Sequence, residues 1–247
     1  MLKFLRARFE KLKGTIFHPQ WLSLRYQAKS KRQLHRINNC LILDIGSGNS
    51  IHSTYINTSN SVVRLDYPQT NTRYKFAPDV YGDASVLPFK DKSIDAALLL
   101  EVLEHVRNDQ KALNEINRVL VAEGKLYLSI PFLYPIHDRP FDYRRYTVHG
   151  LIQLLESSNF KVTKILPHGN SLVTAFQLII LSLLEFCQWL ERKNKLATYI
   201  ICIFVYLCCI LINIVSILAI PLNFLDTACL GYFIVAKKLP TKSKSSP

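Results

Sequence analysis

The sequence has no two of its six cysteines at metal-ligand spacing. Cys40 stands alone before the first apolar run, Cys202, Cys208 and Cys209 lie in apolar sequence, and Cys187 and Cys229 flank it. This excludes a disulfide framework and reads as reduced thiols in cytosol or membrane. No metal site is expected. No secretory leader is expected at the first residues, because charges interrupt them before an apolar segment develops. The middle of the chain lacks any charge excess: residues 37–170 carry fourteen Lys/Arg and fourteen Asp/Glu, and residues 171–236 carry three of each. The formal net charge of +13 therefore sits at the ends, with ten basic residues against one acid in residues 1–36 and Lys237, Lys238, Lys242 and Lys244 at the other end. A nucleic-acid enzyme would more often spread basic residues around its cleft, so no nucleic-acid partner is expected. Basic ends beside a long apolar segment suit an anionic membrane surface. At 247 residues the chain suits one ordinary domain with additions.

What is present centres on Leu41-Ile42-Leu43-Asp44-Ile45-Gly46-Ser47-Gly48-Asn49-Ser50. An apolar strand reaches Asp44, and two glycines one residue apart then permit a tight turn and close approach of a ligand to bare backbone. In open α/β sheets such a turn lies where ligands bind. A dinucleotide fingerprint would need a glycine where Ile51 stands.

Further strands follow. Ser61 to Tyr67 holds Asp66 near its end, Ile94 to Leu100 has the pattern of a buried central parallel strand, and Lys125 to Ile130 is a fifth. An acid at the end of the second strand is placed to accept the hydroxyls of a ribose. Between them, Lys111 to Val121 has the helical period through Ala112, Leu113, Ile116, Val119 and Leu120, with Glu123-Gly124 ending it. Thr147 is a candidate cap for a helix over 148–158, and Lys161–Leu166 and Gly231–Lys238 read as sixth and seventh strands, antiparallel to each other.

The Asp-x-Gly-x-Gly turn, Tyr81-Gly82-Asp83-Ala84 with Leu87-Pro88-Phe89, and Glu101-Val102-Leu103-Glu104-His105-Val106 together resemble class I S-adenosylmethionine-dependent methyltransferases of the type 11-like group. Ser50 departs from the family's third glycine. The resemblance implies a doubly wound, mostly parallel seven-stranded Rossmann-like α/β sheet. It implies S-adenosylmethionine held by Asp44, Gly46, Ser47 and Gly48 at the methionine end and by Asp66 and Tyr67 at the ribose. Asp83 and Ala84 would meet the adenine, and Glu101 would face the cofactor from the fourth strand. His105 would be a base, a substrate contact or a helix-positioning group.

After the fifth strand, residues 131–147 gather His137, Asp138, Asp142, three arginines and three tyrosines. The loop resembles that of bacterial methyltransferases associated with envelope or glycan metabolism, on His137, Asp142, Tyr143 and Arg145. Histidine near its ordinary pKa can remove a proton from an attacking hydroxyl or amine. His137, Asp142 and His105 are the catalytic candidates, with an Asp142–Arg145 ion pair as the alternative role for Asp142.

Between the last two strands stands a mostly apolar insertion, uncharged over 171–184 and 196–225 and interrupted by Glu185 and Glu191-Arg192-Lys193-Asn194-Lys195. About twenty apolar residues cross a bilayer, so the second stretch is long enough with some to spare. Both ends return to one sheet, so the insertion crosses an even number of times or re-enters. A crossing hairpin would put its basic tip outside, against the positive-inside tendency, whereas a monotopic hairpin or a bend near Asn213 or Pro221 would not. A buried helical subdomain is the alternative. The expected order is basic amphipathic helices over 1–36 (Leu2, Leu5, Phe9, Leu12 and Ile16 on one face, then a second helix from Trp21 to His35), the core over 37–170, the insertion over 171–226, the last strand over 227–238 and a basic tail over 239–247. The expected enzyme transfers a methyl group to oxygen or nitrogen of a small-molecule or lipid-linked acceptor, at a membrane, with its catalytic domain facing the cytoplasm. A glycan precursor on a polyprenyl carrier is the first expectation and a quinone the second. The rivals are an NAD-dependent oxidoreductase and an inactive membrane scaffold.

Overall fold

A computed structural model describes residues 10–49, 53–68, 77–222 and 226–240. The amphipathic pattern from Leu2 to Phe9, Ser50, and the tail lysines Lys242 and Lys244 lie outside the described residues. Two compact units divide the chain. One holds the described residues up to Ser30, Leu133–Pro135 and Pro167–Gly231; the other holds Lys31–Phe132, Ile136–Leu166 and the residues from Tyr232 onward.

The second unit carries the sheet. Its strands are β1 (Leu41–Ile45), β2 (Ser61–Asp66), β3 (Val80–Tyr81), β4 (Ile94–Leu100), β5 (Leu120–Pro131), β6 (Phe160–Pro167) and β7 (Gly231–Lys238), in the order β3-β2-β1-β4-β5-β7-β6. The pairs β1–β2, β1–β4, β2–β3 and β4–β5 are parallel. At the far edge the sense reverses: Leu239 N–H donates to Asn159 O and Thr163 Oγ1 to Val235 O, so numbers fall on one strand as they rise on the other. The sheet is therefore mixed, with the reversal confined to one side. Leu98, Ile42, Leu34 and Phe233 bury together with Tyr127 in a core on the sheet. Helix α2 (Asp109–Val119) buries Ala112, Leu113, Ile116 and Val119, three and four residues apart, and Asn108 caps it by accepting from Lys111 N–H at 3.0 Å. Thr147 caps α3 (Val148–Ser157) through Gly150 N–H at 3.2 Å.

Two boundaries differ from the sequence reading. Helix α2 stops at Val119, and β5 already starts at Leu120, because Leu120 pairs with Ile94 before the register slips and Lys125 pairs with Ala96. Glu123, at φ +66°, lies in the resulting irregularity. The helix α1 (Trp21–Lys31) ends four residues early, its continuation tightening into a 3₁₀ turn over Arg32–Arg36.

The first unit is built on α4 (Ser171–Lys193) and α5 (Lys195–Ser216). Ile180 and Cys187 bury against Val205 and Cys209, which makes the two helices a hairpin. Several polar side chains at the helix ends and inner faces bond within the unit, while Ser182, Glu185 and Gln188 of α4 are exposed. Asn213 donates to Ile16 O at 2.8 Å and His18 O at 3.0 Å; Gln177 accepts from Ser23 N–H at 3.3 Å; Asn170 caps α4 and donates to Ala219 O at 2.7 Å. The opposite face of α5 is apolar and bare, with Ile200, Phe204, Leu207 and Leu211 all more than half exposed.

Candidate functional site

The glycine turn is formed as its residues require. Gly46 and Gly48 sit at φ +71° and +50°, a region costly for side-chain-bearing residues. The turn folds back on β2: Gly46 and Ser47 N–H donate to Leu65 O at 2.8 and 3.2 Å, and Gly48 N–H donates to Asp66 Oδ2 at 2.8 Å. Asp66 Oδ1 accepts from Tyr67 N–H at 2.7 Å, so this carboxylate, only 5% exposed, is held at both oxygens. A Cβ on Gly46 would stand 2.4 Å from Val102 Cγ2. Gly46→Ala is expected to destabilise the chain by about 2–4 kcal/mol in denaturant titrations, the sum of left-handed strain and overpacking. Adding Val102→Ala should recover only the packing share. Unchanged stability in Gly46→Ala would contradict the turn as described.

Asp44 lies within β1 at 2% exposure, and Ser47 at 3%. Asp44 Oδ1 and Ser47 Oγ are buried without a hydrogen-bond partner among the described residues. Burial, then the neighbouring Asp66 charge, push the Asp44 carboxyl up to about 7, with Lys31 and Arg64 opposing weakly. Buried polar atoms left in this way cost free energy unless a ligand meets them. Across the strand ends, Gly82 N–H donates to Asp66 O at 3.0 Å, which sets Asp83 and Ala84 beside β2. Asp83 is exposed, closing its own turn by accepting from Ser85 N–H at 2.7 Å, while Ala84 is buried.

At the end of β4, Glu101 adopts φ +58° and accepts from Ser129 Oγ at 2.7 Å. The next turn brings Glu104 and His105 against the loop after β5. Tyr143 N–H donates to Glu104 O at 2.9 Å, and Arg144 donates to Val106 O at 2.9 Å and pairs with Asp109 at 3.3 Å. His105 and His137 meet edge to face, ring centroids 5.0 Å apart. Asp142 accepts the Arg145 fork at 2.5 and 2.7 Å and His137 N–H at 2.9 Å, and its Oδ2 lies 3.2 Å from His137 Nδ1. Burial pushes the Asp142 carboxyl up, but these partners outweigh it and hold it down at about 2. Asp142, with its side chain 1% exposed, is thus tied to both Arg145 and His137.

Glu104 is the residue that sequence reasoning passed over. It is fully buried, and neither carboxylate oxygen has a hydrogen-bond partner among the described residues. Oε1 lies 3.7 Å from His105 Nε2 and 3.8 Å from His137 Nε2. Burial, then Glu101, push its carboxyl well above the ordinary range. The available signal was an acid and a histidine side by side in an otherwise apolar strand-end turn.

Comparison with known proteins follows this geometry. Residues 43–128 match a family profile described as a methyltransferase domain. A probable S-adenosylmethionine-dependent methyltransferase of Mycolicibacterium smegmatis is 28% identical over 162 residues, 60% of this chain and 63% of that protein. The demethylmenaquinone methyltransferase of Renibacterium salmoninarum is 32% identical over 126 residues, 48% of this chain and 52% of that protein. The chain thus spans less than two thirds of the length of either curated relative. A Bacillus halodurans protein classed provisionally as a methyltransferase shares the fold at a TM-score of 0.52 and 15% identity, over 86% of this chain and 98% of that one. The fold is the Rossmann-like methyltransferase fold, and together with the matched domain it implies S-adenosylmethionine as the cofactor.

Proposed function

We propose that the chain transfers a methyl group from S-adenosylmethionine to an oxygen or nitrogen of a lipid-linked acceptor at a membrane. The observation that carries the cofactor half is the pair of unpartnered buried atoms, Asp44 Oδ1 and Ser47 Oγ, beside a glycine turn with bare backbone. An ammonium group would supply the cation that Asp44 lacks. Asp66, fixed at both oxygens by backbone N–H groups, keeps lone pairs for ribose hydroxyls. Tyr67, Asp83, Ala84 and Glu101 complete the proposed cofactor contacts. Bound there, S-adenosylmethionine supplies an electrophilic methyl carbon; the chain supplies alignment and, for a hydroxyl, a group to take the proton. His137 and His105 are the proposed acceptors of that proton, and Asp142 and Arg145 position His137.

The membrane half rests on the helical hairpin. Ser171–Lys193 and Thr198–Ala219 are each long and apolar enough to cross a bilayer by length and composition. On α5, Thr198, Tyr206, Asn213 and Ser216 bond within the unit while the outer face presents bare apolar side chains, the division expected of a lipid-facing helix. The tip carries Arg192 and Lys193, so a shallow, monotopic insertion with the sheet on the cytoplasmic side fits the charge rule better than full crossing. The glycan-carrying polyprenyl acceptor is the first reading; the menaquinone-pathway relative favours a second, a prenylated ring. Incubation of the purified chain with methyl-labelled S-adenosylmethionine and bacterial membrane lipid extract should place label in the organic phase. Label confined to water-soluble products would contradict a lipid-linked acceptor.

A further inference from the structure

We propose that Glu104, His105 and His137 bind a divalent transition-metal cation, of the zinc or manganese type. Their ligand atoms all lie within 4.8 Å of one another, and Glu104 Oε1 stands 3.7 and 3.8 Å from the two imidazole Nε2 atoms. Nitrogen and oxygen ligands about 2.1 Å from a tetrahedral metal are separated by roughly 3.4 Å. Glu104 is close to that spacing from each imidazole, and the two rings, within 4.8 Å, would close on the metal as it binds. Two imidazoles and one carboxylate suit first-row divalent metals and leave positions open for a further ligand.

Three observations converge on this. Glu104 is fully buried, neither oxygen has a hydrogen-bond partner among the described residues, and Oε1 is aimed at the two imidazoles. A carboxylate taken out of water in this way needs a cation or a proton. Both rings are also oriented from behind. His105 Nδ1 lies 3.0 Å from Phe141 O, which can only accept, so Nδ1 donates there and Nε2 is the ring nitrogen turned to Glu104. His137 Nδ1 lies 3.2 Å from Asp142 Oδ2, the carboxylate–histidine arrangement that backs metal ligands. Arg145 also approaches that nitrogen, at 3.4 Å, but its fork is directed at Asp142 through shorter bonds. Finally, Glu101, Glu104 and Asp142 set three carboxylates around the two imidazoles, with Arg145 and Lys31 as the opposing cations among the described residues, a field that favours a dication.

The role of the cation rests on the methyltransferase reading above; the site itself does not. With a metal bound, His105 and His137 serve as its ligands, and the acceptor's proton leaves to water in place of the direct transfer to these rings. A metal in these open positions would draw an acceptor hydroxyl to it and ease loss of its proton to water. The oxygen then attacks the methyl carbon, the C–O bond forms as the C–S bond breaks, and sulfur keeps the electron pair, leaving neutral S-adenosylhomocysteine.

The test is calorimetric titration of the tag-free, EDTA-stripped, detergent-purified chain with Mn²⁺ and with Zn²⁺, and of the same sample with S-adenosylmethionine. One cation per chain is expected. Glu104→Gln, His105→Gln and His137→Gln should each weaken it by more than about 10-fold, the loss already caused by changing groups that merely back the ligands. Their S-adenosylmethionine affinity should stay within about threefold of wild type on that basis, since none is a proposed cofactor contact. A chain that binds S-adenosylmethionine but no cation, or a Glu104→Gln variant that binds the cation like wild type, overturns the site and leaves the methyltransferase reading standing. Cation binding lost in the variants, with no S-adenosylmethionine binding by the wild type, supports the site and contradicts that reading. Binding of neither ligand overturns both.

Discussion

Asp44→Asn is expected to raise the melting temperature of the cofactor-free chain at pH 8 by about 5–10 °C while removing measurable S-adenosylmethionine binding. Asp44 is buried, and its carboxyl is pushed from its ordinary value to about 7 by burial first and Asp66 second. In the unfolded chain the same group loses its proton near pH 4. A raised folded pKa gives a contribution fully present below the unfolded value and lost as pH rises through the folded one. Between about pH 4 and pH 7 the native chain pays an increasing cost for ionising Asp44, on the order of 3–4 kcal/mol once complete. Asparagine has nearly the same shape and no charge, so it escapes that cost at pH 8 and gains little at pH 4. Scanning fluorimetry of both proteins at the two pH values measures the difference. The same substitution removes the charge that would meet the cofactor's ammonium, and loss of one partner of a buried pair costs about 3–5 kcal/mol, or more than about 100-fold in affinity. A variant no more stable than wild type at pH 8, or one that still binds, would contradict the assignment of Asp44 to the cofactor rather than to the fold.

Leu207→Lys with Leu211→Lys should move the chain from the membrane pellet to the soluble fraction without disturbing the cofactor unit. Both leucines lie on α5, exposed by 58% and 61%, one turn apart on the face opposite Cys209. Lysine at the centre of a membrane helix is unfavourable by about 2.5–3.5 kcal/mol, so two together oppose insertion by roughly 5–7 kcal/mol, less whatever snorkelling recovers. On a helix that faces water, the same change would leave partitioning alone and improve solubility. Flotation with anionic vesicles separates the cases, and S-adenosylmethionine titration of the soluble variant checks the second unit independently. A wild-type chain that stays in solution, or a variant that still floats, would contradict the lipid-facing role of α5.

The parts legible in the sequence are those in which chemistry is contiguous. Asp44, Gly46 and Gly48 stand within one turn, and Asp66 ends the next apolar run, so local pattern sufficed to bring them together. The strand over Ile94–Leu100 was legible because every residue in it except Asp95 is apolar and buried. The start of β5 was not, since Leu120 and Val121 continue the helical period and only pairing with Ile94 makes Leu120 a strand residue. Asp142 with Arg145 was legible as an ion pair three residues apart, but its hold on His137 depends on how the loop closes. Glu104 was hidden for a further reason. An acid beside His105 reads as an exposed turn residue, and only tertiary packing buries it against His137.

Isothermal titration of the detergent-purified chain with S-adenosylmethionine, beside Asp66→Ala and beside NAD, tests the central claim most directly. The account predicts micromolar binding of S-adenosylmethionine, its loss in Asp66→Ala, and no binding of NAD. Binding of NAD alone, or no S-adenosylmethionine binding by the folded wild-type chain, would contradict it.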